Sequence, residues 1–543
     1  MKFRTQRLFI VSIFILLMGA LLACKARSET EDIANDAPFA EDALTEETAV
    51  APAPTPFLRV NGRNIVDGNG RVIYLRGVNF DNSYWLEGAT PLDYATESDV
   101  QLLNELGLNL IRVVLDWRYF ETDLGFTLID NYIQWSKTAS VYLVLDMHIV
   151  PPDDELGDEL IWQEMAAQQQ FIDLWVTIAT HYADEPIIVG YDLYNEPSPR
   201  DPGQWWDLVN RTVVAIRAAD PSHILFVEKP LNNDQLEIIP DKNVVYSYHD
   251  YNPFIVTHAG AEWAADSPIP DNYSYPGRIL EGVEWIDWSP DEAVLTEMTP
   301  DWIYWDSGLL TAPANVEFAT VKLSVSGNVG HVWFDDLELL QNDEPQFVYN
   351  ADIEEASITF EGDPANWSFW SEFETGDNAV IGAWSSEQAR SGAHSIELSG
   401  FGNGFGIWSQ SSGMLTAPLF PVSSGDTFQV KGWIYAPENK GSITLGLDYL
   451  NGIYVEYDSQ RLRADIQPYL DWAEANNVPL FVGEFGAMTG SLNNARYVLL
   501  ADKIHMMNEV DLHWALWTYR DTGGFGLYAY DEIDTRLAAI LQQ

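Results

Sequence analysis

Two glutamates stand where long apolar stretches stop. Residues 187–200, "IIVGYDLYNEPSPR", begin as β-branched and aromatic residues and end in Asn195-Glu196-Pro197, and "PLFVGEFGA" carries Glu484 near the end of a second such run. Runs of this kind belong to parallel strands buried on both faces, so a carboxylate at the carboxyl end lies where the cover stops. In barrel enzymes that end is the catalytic mouth. Asn-Glu-Pro is also a fair turn sequence, so one glutamate alone decides nothing. Other strand-like segments end in the same manner. Arg112 lies in "LNLIRVVLDW", His148 closes "VYLVLDMHI", His249 and Tyr251 close "VVYSYHDY", and Trp517 stands near the end of "LHWALWTYR". Two carboxylates, a cation and aromatic or hydrogen-bonding partners are what hydrolysis of a glycosidic bond requires. Each residue also has a structural reading: Arg112 as an ion-pair partner, the histidines as satisfied core residues, Trp517 as packing. Their convergence on one mouth is the argument for chemistry. Glu228 in "FVEKP" ends a strand too but lacks the preceding Asn, and Asp146 is expected to face away from His148 in a structural role.

The elements that must position these groups alternate. Eight candidate strands, "IYLRGVNF", "LNLIRVVLDW", "VYLVLDMHI", "IIVGYDLYNE", "HILFVEK", "VVYSYHDY", "PLFVGEFGA" and "LHWALWTYR", are interleaved with stretches of helical period such as "WWDLVNRTVVAIRAAD". That pattern predicts a (β/α)8 TIM barrel. The gap between the sixth strand, near Tyr251, and the seventh, near Pro479, is too long for a barrel loop. Within it the helical period gives way to short alternating runs punctuated by Gly, Ser, Asn and Pro, the pattern of an antiparallel sandwich. The division expected is a barrel from 57–287 plus 455–543, interrupted by an inserted β-sandwich at 288–454.

The stretches "LRGVNF", "GLNLIRVVLDW", "LDMHIVP", "YDLYNEP", "SYHDYNPF", "VGEFGA" and "ALWTYRD", in this order, resemble glycoside hydrolase family 5 of the clan A retaining enzymes, which includes cellulases. The resemblance covers nearly the whole barrel. It implies Glu196 as acid/base and Glu484 as nucleophile, with Arg112 and Tyr251 holding Glu484 and Asn195 bonding the sugar 2-OH. His148, His249 and Trp517 would support the substrate. Strands four and seven face each other across such a mouth and can hold two carboxyls about 5 Å apart, as retention requires. Glu196 is expected to carry a raised pKa. "NPFIVTHAGAEWA" resembles the cellulase-like branch, so the activity expected is endo-cleavage of β-1,4-glucan. A β-mannanase, another β-glucanase or a non-catalytic glycan-binding surface protein are the alternatives. No cofactor and no metal is called for: the nine histidines show no ligand spacing, and "FDDLEL" reads as a solvated acidic turn.

The insert resembles a carbohydrate-binding jelly roll whose strands come in rotated order: "GHVWFDDLELL", like a closing strand, precedes "NADIEEASITFEGDPANWSFW", like an opening one. Trp302, Trp305, Trp367, Trp370, Trp384 and Trp408 are its candidate sugar-stacking residues.

Charge and leader complete the expectations. The chain has 82 acidic against 28 basic side chains, a net charge of −54, which disfavours nucleic acid and anionic polymers and permits a neutral β-glycan. Lys2, Arg4 and Arg7 precede an apolar run ending in Leu21-Leu22-Ala23-Cys24, an export signal resembling the lipobox of bacterial lipoproteins. Cys24, the single cysteine, is the expected lipidation site, so the protein is read as exported, a cell-surface lipoprotein or secreted, and touching membrane only through that anchor. Residues 25–56, acidic and rich in Ala, Pro and Thr, read as a disordered tether. A monomer is expected.

Overall fold

Eight parallel strands close in chain order into a barrel. They are β1 (Arg76–Phe80), β2 (Leu110–Asp116), β3 (Tyr142–Ile149), β4 (Ile188–Asp192), β5 (Ile224–Glu228), β6 (Val244–His249), β7 (Leu480–Phe485) and β8 (His513–Leu516). The computed structural model describes residues 56–82, 90–152, 160–199, 201–231, 233, 235–261, 263–264, 266, 269–357, 362–373, 375–410, 419–521, 524–529 and 532–542. The expected leader with Cys24, and the tether up to residue 55, lie outside the described residues. Among the described residues no helix is long and apolar enough to cross a membrane.

The two-residue strand period sorts each barrel strand into a helix-facing row and an inner row. In β2, Ile111, Val113 and Leu115 join the core under the helices, whereas Leu110 belongs to the plug at the other end of the barrel. In β3, Leu143, Leu145 and Met147 take the outer row and Val144 the plug. That leaves Arg112, Asp146 and His148 pointing inward. A short hairpin, Arg59–Asn61 with Asn64–Val66, seals the amino-terminal end through Ile65, packed with Phe226 and Phe481. The helix before β5, Pro202–Ala219, starts with Asp201 accepting the Gly203 amide and Pro at its first turn.

Between β6 and β7 the chain builds two antiparallel sheets. One runs Thr299–Asp306, Thr427–Ala436, Gly330–Gln341, Ser395–Gly400, Val380–Ser385 in spatial order, and the other Trp367–Ser371, Phe405–Gln410, Phe318–Ser326, Ser442–Tyr457, Gly277–Trp288. Their facing sides share a second core that includes Phe334, Ile396 and Ile434 from one sheet and Leu323, Leu445 and Trp408 from the other. The first and last strands pair with each other, from Gly277 opposite Tyr457 to Trp288 opposite Asp448, so the chain enters and leaves the sandwich side by side. This ribbon extends past both ends of the 288–454 span, and its root, Ile279 and Tyr457, is buried in the barrel's own core.

The sandwich tryptophans divide by burial. Trp367 and Trp408 are wholly buried and so are structural, while Trp305 and Trp384 pack partly buried against the same core. The acidic turn in "FDDLEL" is not solvated: Asp335 is buried and accepts the Arg390 and Ser391 amides at 2.7 and 3.1 Å, while Asp336 takes the Ser391 hydroxyl at 2.7 Å.

Candidate active site

Arg112 organises the mouth. It is wholly buried, and its guanidinium reaches Asp192 (2.8 Å), Asp146 (2.9 Å), Glu484 (2.8 Å), Asn79 (3.0 Å) and Asn195 (3.0 Å). A planar fork with five N–H groups can serve five acceptors in fixed directions, which an ammonium cannot. Glu484 therefore accepts from Arg112 through Oε1 and from the Tyr251 hydroxyl through Oε2, both at 2.8 Å. Strand register places Glu484 beside His249. Gly483 makes room for that neighbour, since a Cβ there would come within 3.0 Å of His249 Nε2 and Ser247 Oγ.

His249 connects the two carboxylates. Its Nδ1 lies 2.7 Å from Glu196 Oε1 and 3.6 Å from Glu484 Oε2. Those two oxygens are thus no farther apart than the sum of the two distances. Glu196 itself has φ +49, a left-handed backbone that is uncommon for a residue with a Cβ.

His148 stacks on Trp517 at 5.4 Å and 13° between planes, with Nδ1 2.8 Å from Asp146 and Nε2 3.4 Å from the Asn195 amide. All eight expected residues, Arg112, His148, Asn195, Glu196, His249, Tyr251, Glu484 and Trp517, belong to this one connected cluster. Asp146 does not face away from His148. Residues two apart on a strand share a face, and both side chains meet inside the barrel. Three further members went unassigned in the sequence reading: Asn79, Asp192 and, as a contact of both Glu196 and His249, Glu228. Asn79 and Asp192 occur inside the diagnostic stretches "LRGVNF" and "YDLYNEP", and inward register was the available signal.

Residues 66–286 match the family model described as Cellulase (glycosyl hydrolase family 5). This segment of the chain is a family 5 domain. It carries β1 to β6 and hence Arg112, His148, Asn195, Glu196, His249 and Tyr251, while Glu484 and Trp517 come after the insert. Endoglucanase C of Acetivibrio thermocellus is 30% identical over 208 residues, covering 35% of this chain and 60% of that protein. A Beta-xylosidase of Phanerodontia chrysosporium is 29% identical over 254 residues, covering 36% of this chain and 52% of the relative. Among solved structures, endoglucanase Cel5A from Thermotoga maritima aligns with TM-score 0.45 and 15% identity over 86% of this chain and 96% of its own.

The cluster shifts its titratable groups against the sequence expectation. Burial would lower the His249 pKa, but Glu228, Glu484 and Glu196 around it prevail and raise it to about 9. Burial would raise the Glu196 carboxyl, yet the bond from His249 turns the net direction downward. The expectation of a raised Glu196 is therefore corrected: its carboxyl shifts downward because His249 lies 2.7 Å away, a contact the sequence does not reveal. Glu228 shifts upward, because burial outweighs the attraction of His249. Tyr251 is pushed up by burial and by Glu484, so it remains a phenol that donates.

A pH dependence of stability follows for the family 5 domain. His249 has a folded value near 9 against an ordinary 6.5, so its contribution is complete below 6.5 and disappears as pH climbs through 9. Glu228, also raised, acts with the same sign, since the folded chain keeps a proton the unfolded one releases. Urea midpoints should fall from about pH 6.5 to about pH 9.5. A flat or rising midpoint over that range would contradict the assignment.

Glu196, Glu228 and His249 bring one ligand atom each within 4.8 Å of one another, a spacing a cation can bridge. His249 Nδ1 is engaged by Glu196 at 2.7 Å, while its Nε2 lies 3.4 Å from Glu228 without a hydrogen bond.

Proposed function

We propose that this protein is a retaining glycoside hydrolase of exported type that cleaves β-1,4-glucan internally. One observation carries the reading: Glu196 and Glu484 both lie against a single nitrogen of His249, with Glu484 fixed by Arg112 and Tyr251. In this mechanism Glu484 bonds to the anomeric carbon as the glycosidic C–O bond breaks, and Glu196 protonates the departing oxygen. A water then displaces Glu484 while Glu196 accepts its proton. His249, in contact with Glu196, is the nearest source of the proton the first step consumes. The relative named an endoglucanase supports glucan, and the one named a beta-xylosidase is the reason to include aryl β-xyloside in any test. The decisive experiment is a panel of carboxymethylcellulose, mixed-linkage glucan, xyloglucan, glucomannan and aryl β-xyloside read as released reducing ends or phenol. Activity confined to mannan sinks the glucanase reading, and inactivity throughout sinks the enzyme.

The sandwich is proposed to hold the same polymer. One of its sheets carries Trp302, Tyr304, Trp433 and Tyr435 outside the sandwich core, with Trp302 5.7 Å from Tyr435 and the buried Trp333 backing Tyr435 at 5.4 Å. Tyr304 is 45% exposed. Aromatic surface with hydrogen-bonding neighbours suits an uncharged sugar chain on an acidic protein. Two contacts place the sandwich against the loop after β6: the Ser357 hydroxyl donates to Asp266 at 2.8 Å and the Asn366 amide side chain to the Asp266 carbonyl at 3.1 Å. Because Trp288 and Asp448 are paired, residues 289–447 can be replaced by a tight turn. The shortened protein should show KM for polymer raised about tenfold, with cellotetraose turnover within about twofold of the parent. Equal losses on both substrates would mean that the sandwich shapes the active site instead.

A further inference from the structure

Glu228 closes β5 directly behind the acid/base residue. It is 2% exposed, and its Oε2 accepts the backbone N–H of Glu196 at 2.9 Å. The same oxygen lies 3.4 Å from His249 Nε2, whose Nδ1 contacts the Glu196 carboxyl. Its backbone carbonyl takes the Trp205 indole N–H at 2.8 Å, which fixes the strand end from the helix side. Glu196 thus has its backbone held by Glu228 and its carboxyl held by His249, which Glu228 also faces. The backbone grip has a purpose, because φ +49 is a conformation that a residue with a Cβ keeps only when its surroundings impose it. Glu228 cannot protonate a substrate itself, being buried and committed to the Glu196 N–H. The charged groups that act on it are His249 and Arg112, which stabilise its anion, and Glu196 and Asp192, which oppose it.

Resting on the retaining mechanism proposed above, we propose that Glu228 is a positioning residue for proton delivery: it holds the Glu196 backbone so that the Glu196 carboxyl meets the departing oxygen. No bond to Glu228 forms or breaks. The role predicts dependence on the leaving group. A sugar hydroxylate must be protonated as it leaves, whereas 2,4-dinitrophenolate departs unaided. A misplaced Glu196 therefore harms only the first kind of substrate.

The test compares kcat/KM for cellotetraose and for 2,4-dinitrophenyl β-cellobioside, since that ratio reports the first displacement. Glu228→Leu, which keeps bulk and removes the acceptor, should lower the cellotetraose value on the order of 100-fold and the aryl value by less than about fivefold. Glu228→Gln retains an acceptor for the Glu196 N–H and should recover the cellotetraose value to within about fivefold of the parent. Equal losses on the two substrates, no loss on either, or a Gln variant as poor as Leu each overturn the proposal. Urea midpoints establish that the variants fold. Should the Leu chain not fold, Glu228→Asp, which withdraws the carboxylate from the Glu196 N–H by one methylene, must show the same selective loss or the proposal fails. A parent protein inactive on both substrates would instead overturn the hydrolase reading, before any variant is compared.

Discussion

Glu484→Gln should yield a folded protein whose kcat/KM on cellotetraose is lower by at least about 10⁴-fold, or about 5.4 kcal/mol of transition-state stabilisation. The substitution keeps volume and one acceptor but removes the anion that would bond to the anomeric carbon. Arg112 and the Tyr251 hydroxyl both donate to this carboxylate at 2.8 Å. An amide offers one acceptor oxygen in place of two, so one of these donors loses the acceptor it has in the parent. The expected stability loss is about 1–3 kcal/mol, the cost of one unmet buried hydrogen bond. That is small beside the kinetic effect, so a urea midpoint taken with the kinetics separates chemistry from folding. Turnover within tenfold of the parent would remove Glu484 from the nucleophile role. The stereochemistry of the first-formed sugar, followed by proton NMR, gives an independent answer: a product of inverted configuration would rule out the covalent intermediate.

Arg112→Leu should be the most destabilising single change in the barrel. The guanidinium pairs with Asp146, Asp192 and Glu484, and all four side chains are at most 5% exposed. Removing the cation leaves carboxylates buried without compensation, for which the expected cost is about 3–5 kcal/mol. The loss should depend on pH in a definite direction. Burial already holds Asp192 at about 6, with Arg112 pulling the other way, so loss of the cation pushes it further up. The variant then needs protons to fold that the parent does not, and its deficit grows as pH rises. Urea unfolding of parent and variant at about pH 5 and about pH 7.5 should show the larger gap at the higher value. An equal gap at both values, or one below about 1 kcal/mol, would mean that the network is not held together by charge. Arg112→Lys should recover only part of the loss, because an ammonium cannot reach five acceptors disposed around a fork.

What the chain alone disclosed was periodic or terminal. Each barrel strand was readable because burial on both faces demands a continuous apolar run, and the candidate site residues stood out because they interrupt those runs toward the carboxyl end. Glu196 after Asn195, Glu484 after Gly483, and His249 two residues before Tyr251 are of this kind. The interruption of the barrel after β6 was equally legible as a change of period. What the sequence left open was which inward side chains meet once the barrel closes. Asn79, Arg112, Asp192 and Glu484 come from four strands and share a centre only because closure brings β1, β2, β4 and β7 around one axis. The downward shift of Glu196 beside His249, the bond from the Glu196 N–H to Glu228, and the burial of Trp367 and Trp408 depend on distances across the fold. Electrostatic shifts and contacts of this kind change over a few ångströms, whereas sequence pattern fixes only the face and the end of the strand from which a side chain starts.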